Sequence, residues 1–266
     1  MKKNILVTGA SSGFGLLVAN ELHKKGYNVI GTSRNPEKYV SKLPFKMIAL
    51  DLDSEHSIDS FSERVFKEIG HLDVLINNAG FLVSGIAEET SIELGRKQLE
   101  TNFWGTIKVT NSVLPYFRKQ KFGKIITVGS IIGLVSFPNA AYYAASKHAL
   151  EGYFKALRYE LNEFNISVAM IQPSAFKTNI VDNASTPTKL IEDYNSLRKK
   201  IAGFTNDLED KAEDPSKVIK KVLKVVESDK PMFRNIVGKG TSVLINLQHF
   251  AYGFLEKNVL NKLNKF

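Results

Sequence analysis

The chain has 266 residues, of which 36 are lysine or arginine and 27 are aspartate or glutamate, and it contains no cysteine. The absence of cysteine excludes disulfides, thiolate zinc sites, iron–sulfur clusters and a cysteine nucleophile, and it agrees with the cytoplasmic location that we expect. A formal charge of +9 favours a nucleic acid, an acidic membrane surface or a phosphorylated small molecule, and does not choose among them.

Two uncharged runs resemble membrane signals. Residues 5–20 follow two lysines, like the apolar part of a signal peptide, but glycine, serine and threonine interrupt them. Residues 125–146 are long enough to cross a bilayer, but they contain glycine, proline and asparagine residues typical of a loop. We expect neither export nor a membrane span.

Short apolar runs alternate with helical patterns through the first two thirds of the chain, which is typical of a parallel sheet covered by helices. The runs are rich in Val, Ile and Leu without strict alternation, as in strands buried on both faces. Strands are predicted at residues 5–8, 29–32, 47–50, 74–77, 125–128 and 167–171, and helices at 14–25, 58–69, 94–118 and 143–164.

The pattern predicts one α/β domain with a doubly wound parallel sheet over residues 1–266. A cofactor-binding and catalytic core would span 1–173, followed by a substrate-binding loop or lid at 174–214. A helix from 215 to about 227 and a strand at 232–237 would complete 215–238, and 239–266 would be a helical extension. Acidic residues at 207–214 alternate with other residue types, which favours a solvated face over a metal site.

The extension carries apolar residues at helical spacing, which gives a broad apolar face. We favour packing of this face on its own domain or on a second subunit. The alternative is contact with a membrane surface, assisted by Lys257, Lys262 and Lys265. The apolar residues are Val243, Leu244, Leu247, Phe250, Ala251, Phe254, Leu255, Val259 and Leu260.

A glycine-rich turn joins the first predicted strand to the first helix, with the sequence Thr8-Gly9-Ala10-Ser11-Ser12-Gly13-Phe14-Gly15. Glycines let the backbone turn tightly and approach a pyrophosphate, whose charge lies on the free amides at a helix N-terminus. A strand–turn–helix context is what a dinucleotide site requires. A purely structural turn is the alternative.

Tyr143 and Lys147 lie four residues apart on one predicted helical face. A nearby cation favours a phenolate, so the pair predicts a tyrosine whose pKa is lowered toward acid/base catalysis. A tyrosine and a lysine at this spacing also occur by chance. Ser130, just after the strand at 125–128, is placed to bring a hydroxyl beside the phenol.

Several motifs occur together and in order: TGxxxGxG, Asp51 after the third strand, residues 77–80 (NNAG) after the fourth, then Asn102, Ser130 and YxxxK. In this combination the chain resembles the short-chain dehydrogenase/reductase family, in its shorter branch, as far as about Gly238. The resemblance implies a Rossmann fold with three α/β/α layers. The longer branch of epimerases and dehydratases has a differently spaced glycine turn and a larger substrate domain.

The resemblance implies four catalytic residues. Tyr143 would be the general acid in carbonyl reduction or the base in alcohol oxidation, and Lys147 would hold the nicotinamide ribose and lower the tyrosine pKa. Ser130 would hydrogen-bond the substrate oxygen, and Asn102 would hold a water that links Lys147 to solvent. Tyr142 would point about 100° away around the helix, where it would line the pocket or pack.

The resemblance also implies a cofactor, which we expect to be NADP(H). Ser33 stands where members that use NAD carry aspartate, and Arg34 is placed to pair with a 2′-phosphate. Ser12 lacks the second basic side chain usual in the turn. Asp51 would accept from the adenine amino group beside the Leu52 backbone. The full set of implied cofactor contacts is Thr8, Gly9, Ser11, Ser12, Gly13, Phe14, Gly15, Ser33, Arg34, Asp51, Leu52, Asn78, Ala79, Gly80, Tyr143, Lys147, Pro173, Ala175, Phe176 and Thr178.

The substrate is expected to be a hydrophobic ketone, aldehyde or alcohol, since the chain is similar to steroid- and retinol-converting members and the pocket candidates are largely apolar. Ser174 replaces a glycine usual in the family, which puts the geometry of the following loop in doubt. Besides Ser130, the substrate-binding candidates are Leu82, Val83, Phe137, Tyr142, Phe176, Ile180 and Phe204.

Other functions are less favoured. The alternative to a carbonyl reductase or alcohol dehydrogenase is a non-catalytic NADPH-binding regulator, although such proteins usually lose the tyrosine or the lysine. Five scattered histidines predict no metal site, and the sequence has no nucleic-acid-binding motif. The resemblance implies a homodimer or homotetramer, formed through the helices at 94–118 and 143–164.

Overall fold

Seven strands form one parallel sheet in the computed structural model, which describes residues 2–266. Their order is β3-β2-β1-β4-β5-β6-β7. The chain adds β2 and β3 on one side of β1 and then returns to add β4 to β7 on the other side, so the strand order reverses between β1 and β4. Ligands of such sheets bind at the carboxyl ends of the strands beside this reversal. The strands are β1 Asn4–Val7, β2 Asn28–Ser33, β3 Lys46–Ala49, β4 Val74–Asn77, β5 Gly123–Val128, β6 Ile166–Pro173 and β7 Arg234–Val237.

Helices cover both faces of the sheet, which confirms the doubly wound α/β architecture. Val18, Leu22 and Val222 are buried with one face, and Phe117 and Phe154 with the other. The helices are α1 Gly13–Lys24, α2 Glu55–Asp59, α3 Phe61–Ile69, α4 Ile92–Leu99, α5 Thr106–Gln120, α6 Ala141–Glu160, α7 Asn195–Asp210, α8 Ser216–Glu227, α9 Thr241–Phe250 and α10 Tyr252–Leu263.

Two predicted helices are interrupted in the structure. The one predicted at 58–69 is divided between α2 and α3 at Ser60. The one predicted at 94–118 is divided by a π-helical turn, Glu100–Gly105, between α4 and α5. Gly105 lies so close to Leu52 that a Cβ on this glycine would be 2.7 Å from the leucine Cβ. Helical periodicity does not reveal a π turn, because the turn adds only one residue to a local hydrogen-bonded ring.

The lid segment, residues 174–214, is more helical than its composition predicts. Helix α7 takes up its second half, so part of the acidic run at 207–214 forms the last turn of a helix. The N-terminus of α8 follows the prediction more closely, since Asp214 Oδ1 accepts a hydrogen bond from Ser216 N at 2.8 Å. The proposed subdivision at residues 173, 214 and 238 stays a prediction.

The C-terminal extension forms two helices rather than one continuous apolar face. Ala251, between α9 and α10, has an extended φ of −147° and interrupts the helical stripe. Ile245 and Leu255 are buried, whereas Phe250 and Phe254 are exposed. Within residues 2–266, no helix is both long and apolar enough to cross a membrane.

Candidate active site

The glycine-rich turn follows β1 and packs tightly against the chain after β4. Gly9 has a φ of +64°, and a Cβ at this position would lie 2.8 Å from Ala79 Cα. A Cβ on Gly15 would collide with the Gly9 carbonyl and the Asn78 side chain. Both positions therefore need glycine, Gly9 for its conformation and its closeness to Ala79, and Gly15 for lack of space.

The turn is braced by residues that follow two strands. Thr8 Oγ1 accepts hydrogen bonds from Asn78 N at 2.9 Å and from Ala79 N at 3.1 Å. In return, Asn78 Nδ2 donates to Thr8 O at 3.0 Å and to Gly9 O at 3.2 Å. The Asn78–Ala79 backbone thus holds the turn in place, a role that the sequence motif alone does not reveal.

The N-terminus of α1 fits an anionic group. Ser12 has extended backbone, and its side chain caps no amide of α1 within the described residues. Gly13 has a φ of +54°, and a Cβ there would meet no described atom within 4 Å. The first amides of α1 are therefore open to a pyrophosphate, whose charge the helix dipole stabilises. Ser11 and Gly80, also predicted contacts, lie in the same turn and in the loop after β4.

The adenosine end of the predicted cofactor site lies where β2 and β3 end. Ser33 is buried, and its Oγ accepts a hydrogen bond from Asn35 N at 3.2 Å. Arg34 is exposed and forms no ion pair in the part of the chain that the structure describes. Half-buried Asp51 accepts from Asp53 N at 3.1 Å, and Leu52 is buried against Gly105. The arrangement leaves the guanidinium of Arg34 available to a phosphate.

Ser130, Tyr143 and Lys147 meet beside the carboxyl end of β5, and all three side chains are buried. The hydroxyl of Ser130 lies near the phenol of Tyr143, and their interaction favours the phenolate. Lys147 Nζ lies 5.6 Å from the centroid of the Tyr143 ring and donates to Val128 O at 3.0 Å. A hydroxyl, a phenol and an ammonium therefore share one site, which can give a proton to a substrate oxygen and take one from it.

Burial sets the pKa values of the tyrosine and the lysine. It raises the pKa of Tyr143 to about 12, partly offset by the interaction with Ser130. It also lowers the pKa of Lys147 to about 8. The tyrosine pKa is therefore raised, where the spacing of Tyr143 and Lys147 predicts a lowered one, because removal from water penalises the phenolate. Tyr143 is consequently a protonated group, suited to act as a general acid.

We expect kcat/KM for carbonyl reduction to fall as the pH rises above about 8, because Lys147 then loses its proton. Tyr143 remains protonated over that range, since its pKa is about 12. The measurement is a pH profile of kcat/KM, which reports the ionisations of the free enzyme. Lys147→Arg should move this alkaline limb to higher pH; an unmoved limb would assign the titration to another group.

Lys124 provides a matched control, because burial also lowers its pKa to about 8. It lies at the opposite end of β5 from Ser130, where its ammonium donates to Val225 O, Val226 O and Ser228 O. Lys124→Met should leave the alkaline limb in place. Both lysines bind protons more weakly in the folded chain, so they should make the free energy of unfolding rise with pH between about 8 and 10.5.

Asn102 lies in the π-helical turn and is buried beside Ser146. Its Oδ1 accepts from Phe81 N at 3.0 Å, and its Nδ2 donates to Phe81 O at 2.9 Å and to Ser146 Oγ at 3.3 Å. Ser146 Oγ in turn donates to Tyr143 O at 2.8 Å. Asn102 thus links the loop after β4 to the helical turn that carries the tyrosine; its expected contact with a water stays a prediction.

The loop after β4 and the lid segment pair with each other. Ser84 N donates to Ser185 O, and Ser185 N donates to Leu82 O, each at 2.9 Å. Val83 is buried between them and donates its amide to Gln98 Oε1 at 2.6 Å. Leu82 and Val83 therefore lie beside the lid, and their contact with a substrate stays a prediction.

The remaining substrate candidates are dispersed. Phe137 packs against Phe204 of the lid helix α7, with ring centroids 5.9 Å apart. Phe176 packs edge-on against Phe14 of the glycine turn, at 6.1 Å, which places it on the cofactor side. Ile180 is 40% exposed on the lid segment.

Tyr142 does not line the substrate site, contrary to its inclusion among the substrate-binding residues. Its ring packs on Gly95 of α4 so closely that a Cβ there would collide with it. It borders a surface groove together with Trp104. The helix turns the two adjacent tyrosines to different faces, and the other expectation for Tyr142, that it packs, is the one the structure supports.

Sequence reasoning missed the contact that holds the lid helix. Glu89 is buried and forms an ion pair with Arg198 of α7. Glu89 Oε1 also accepts from Ile191 N at 2.8 Å, and Arg198 Nη2 donates to Ile191 O at 3.0 Å. A buried carboxylate with these partners fixes α7 over the loop after β4. Its residues are far apart in the chain, so no local motif could reveal it.

The loop after β6 accommodates the unusual Ser174. Ser174 N donates to Val237 O at 2.9 Å, and its Oγ occupies the space that a Cβ on Gly238 would need. Gly238 has a φ of +131°, which glycine adopts without strain. The side chain of Ser174 therefore fits because residue 238, directly after β7, is a glycine without a Cβ. Pro173, Ala175 and Thr178 lie in the same stretch, where Lys177 N donates to Glu213 O at 3.0 Å.

Comparisons with known proteins point to one family. The family model for short chain dehydrogenases matches residues 3–189. A 3-ketodihydrosphingosine reductase of Bacteroides thetaiotaomicron is 38% identical over 242 residues, which are 90% of this chain and 89% of that protein. The solved structure of a short-chain dehydrogenase from Streptomyces avermitilis is 28% identical in sequence, with a TM-score of 0.84. The superposition covers 100% of this chain and 98% of that one.

Solved structures with bound nicotinamide cofactors include both types. ElxO with NADP bound is 27% identical, with a TM-score of 0.77, over 91% of this chain and 100% of that one. A short-chain dehydrogenase/reductase from Burkholderia phymatum in complex with NAD is 17% identical, with a TM-score of 0.81, over 95% of both chains. The second likeness shows the fold alone, so the fold does not choose between the two cofactors.

Proposed function

The chain belongs to the short-chain dehydrogenase/reductase family of oxidoreductases, and from that premise we propose that it uses NADP(H) to reduce a ketone or aldehyde, or to oxidise the corresponding alcohol, on a hydrophobic small molecule. The observation that carries the proposal is the grouping of the buried side chains of Ser130, Tyr143 and Lys147 at the carboxyl end of β5. NADPH, when bound, supplies the hydride.

The chain's own residues supply and direct the proton. Tyr143 O–H is the acid that protonates the carbonyl oxygen, and its high pKa keeps the phenol protonated until that step. Ser130 Oγ shares the site and orients the same oxygen. The Lys147 ammonium stabilises the phenolate that remains, and burial strengthens that attraction. Asn102 and Ser146 fix the backbone of Tyr143 from the other side.

NADP(H) is supported by the residues at the end of β2. A carboxylate at position 33 would repel a 2′-phosphate, and this chain has the neutral Ser33 there. Arg34 is exposed and can form paired hydrogen bonds with a phosphate. The solved structure of ElxO, which is 27% identical to this chain, has NADP bound.

A long-chain ketone is the substrate class that we favour. The relative from Bacteroides thetaiotaomicron is a 3-ketodihydrosphingosine reductase, and its substrate is a ketone on a long alkyl chain. The lid helix α7 contributes Ile201 and Phe204 to a cluster of apolar side chains that also includes Phe137. Apolar walls of this kind bind an alkyl chain through the hydrophobic effect.

The test measures binding before turnover. NADPH and NADH are titrated separately into the purified protein by nicotinamide fluorescence, and NADPH oxidation is then followed with 3-ketodihydrosphingosine and with a short water-soluble ketone. Tight NADPH binding and faster turnover of the long-chain ketone are expected. Binding without turnover on a broad carbonyl panel would leave the alternative, a non-catalytic regulator, which the intact Tyr143 and Lys147 disfavour. Failure to bind either cofactor would contradict both.

We also propose that the protein works in the cytoplasm as a homodimer or homotetramer. The outer surface of α4 and the π-helical turn supports the association, because Ile92 is 56% and Trp104 is 49% exposed there. Together with Leu99 and Tyr142 they line one surface groove. Large apolar side chains grouped on a surface favour subunit contacts.

A further inference from the structure

Three aromatic side chains protrude at the corner between α9 and α10. Phe250 is 87% exposed, Tyr252 is 55% exposed and Phe254 is 61% exposed. We call these three residues the aromatic tip. A single exposed aromatic residue needs no explanation, but three within five positions form a patch of a kind that marks an interaction site.

The tip continues along one stripe of α9. Val243, 62% exposed, precedes Phe250 by seven residues, and two turns of helix place both on the same side. Thr241 and Ile245 are buried on the opposite side of the helix. The helix therefore uses one apolar face to pack on the domain and shows a second to solvent.

The extension that carries the tip is basic, and Lys257 follows Phe254 by three residues on α10. Residues 238–266 contain four lysines, at 239, 257, 262 and 265, and one acidic residue, Glu256. Lys239, Lys257 and Lys265 are exposed, whereas Lys262 pairs with Asp207 of the lid segment. Exposed aromatic side chains on a basic extension match the interface of an anionic bilayer, where rings enter the headgroup region and ammonium groups meet lipid phosphates.

The helices that carry the tip are firmly attached to the lid. Leu263 of α10 is buried with Ile201 and Phe204 of α7. The ring of Phe266 packs on Gly203, where a Cβ would lie 2.6 Å from its Cδ1 atom. Lys262 Nζ lies 4.9 Å from the centroid of the Phe204 ring. The tip therefore projects from a packed unit, and its exposed side chains can be replaced without opening the core.

We propose that the aromatic tip docks the protein on the surface of anionic lipid bilayers, with Phe250 and Phe254 inserted among the headgroups. A lipid surface fits better than a second copy of the chain, because a symmetric contact through the same patch would bring two sets of lysines together. The structure thus favours the membrane alternative for this part of the extension. The proposed long-chain substrate would partition into the same bilayer, but docking does not depend on that proposal.

The experiment is co-sedimentation of the full-length protein with vesicles of phosphatidylcholine and phosphatidylglycerol in equal amounts. Substrate and cofactor are omitted, so the result is independent of the proposed reaction. We expect the protein to bind these vesicles, and Phe250→Ser with Phe254→Ser to lower the partition coefficient by about tenfold or more. Lys257→Glu with Lys265→Glu should weaken binding to these vesicles and leave the weaker binding to pure phosphatidylcholine little changed.

Matched controls are Met232→Ser and Tyr159→Ser, since both residues are 70% exposed elsewhere on the surface. These variants should bind vesicles like the unmodified protein. Circular dichroism and light scattering of each variant report folding and subunit number. The proposal is overturned if the protein binds no anionic vesicle, if the tip variant binds unchanged, or if the tip variant changes only the subunit number, which would assign the tip to a second copy.

Discussion

Tyr143→Phe is expected to lower kcat by about 10²–10⁴-fold, the usual contribution of a general acid or base, while NADPH binding stays nearly unchanged. The substitution removes only the phenolic oxygen, which interacts with Ser130. The ring, which is buried beside Lys147, keeps its place and its packing. The measurements are steady-state turnover and a fluorescence titration with NADPH on the same preparation.

Tyr142→Phe is the matched control, one residue earlier on α6. Its ring lies against Gly95 and borders the outer groove with Trp104, so its hydroxyl is remote from Ser130. We expect a change of less than about threefold in kcat, because no proton transfer involves this residue. A larger loss for Tyr142→Phe than for Tyr143→Phe would reverse the assignment of the acid. Equal and small losses would mean that another group supplies the proton.

The parts of the fold that sequence patterns predict are those set by local physics. Sequence patterns predict all seven strands, six of them from Val- and Ile-rich runs, because a strand buried on both faces needs apolar residues throughout. The strand–turn–helix context predicts the glycine turn, since the positive φ of Gly9 and the crowding at Gly15 leave little choice of residue. Spacing within one helix likewise places Tyr143 and Lys147 together.

The missed features depend on contacts between distant segments. The interruption of the helix at 94–118 accompanies the contacts of Asn102 with Phe81 and Ser146. The ion pair of Glu89 with Arg198 joins the loop after β4 to helix α7, more than 100 residues further along the chain. In the sequence, Asn102, Glu89 and Arg198 look the same as amide and charged residues on a solvent-exposed helix. Only tertiary structure tells a buried partner from an exposed one.

The tyrosine pKa illustrates the same limit. The spacing of Tyr143 and Lys147 gives their proximity correctly, and proximity alone predicts a lowered tyrosine pKa. Burial of both groups reverses the direction for the tyrosine and also lowers the lysine pKa. The extent of burial follows from the packing of α6 on β5 and β6, which spacing within one helix does not describe.

Ser33→Asp combined with Arg34→Leu is expected to change the cofactor preference from NADPH to NADH. The arginine supplies a charge-assisted hydrogen bond of about 1.5–3 kcal/mol to the 2′-phosphate, so its loss should raise the Kd for NADPH by about 10–150-fold. The new carboxylate would bind two ribose hydroxyls and repel the phosphate. Separate titrations with NADPH and NADH measure both effects.

Position 33 is only 9% exposed, so the aspartate there can also disturb folding, and Arg34→Leu alone keeps the test valid. The single variant should lose NADPH affinity and leave NADH affinity nearly unchanged, because a leucine at this exposed site touches neither ribose hydroxyl. Lys38→Leu, which removes an exposed cation four residues further on, should leave both affinities close to those of the unmodified protein. An unchanged preference in the Arg34→Leu variant would mean that a different cation binds the phosphate, and an equal loss in Lys38→Leu would mean that the general positive field attracts NADPH.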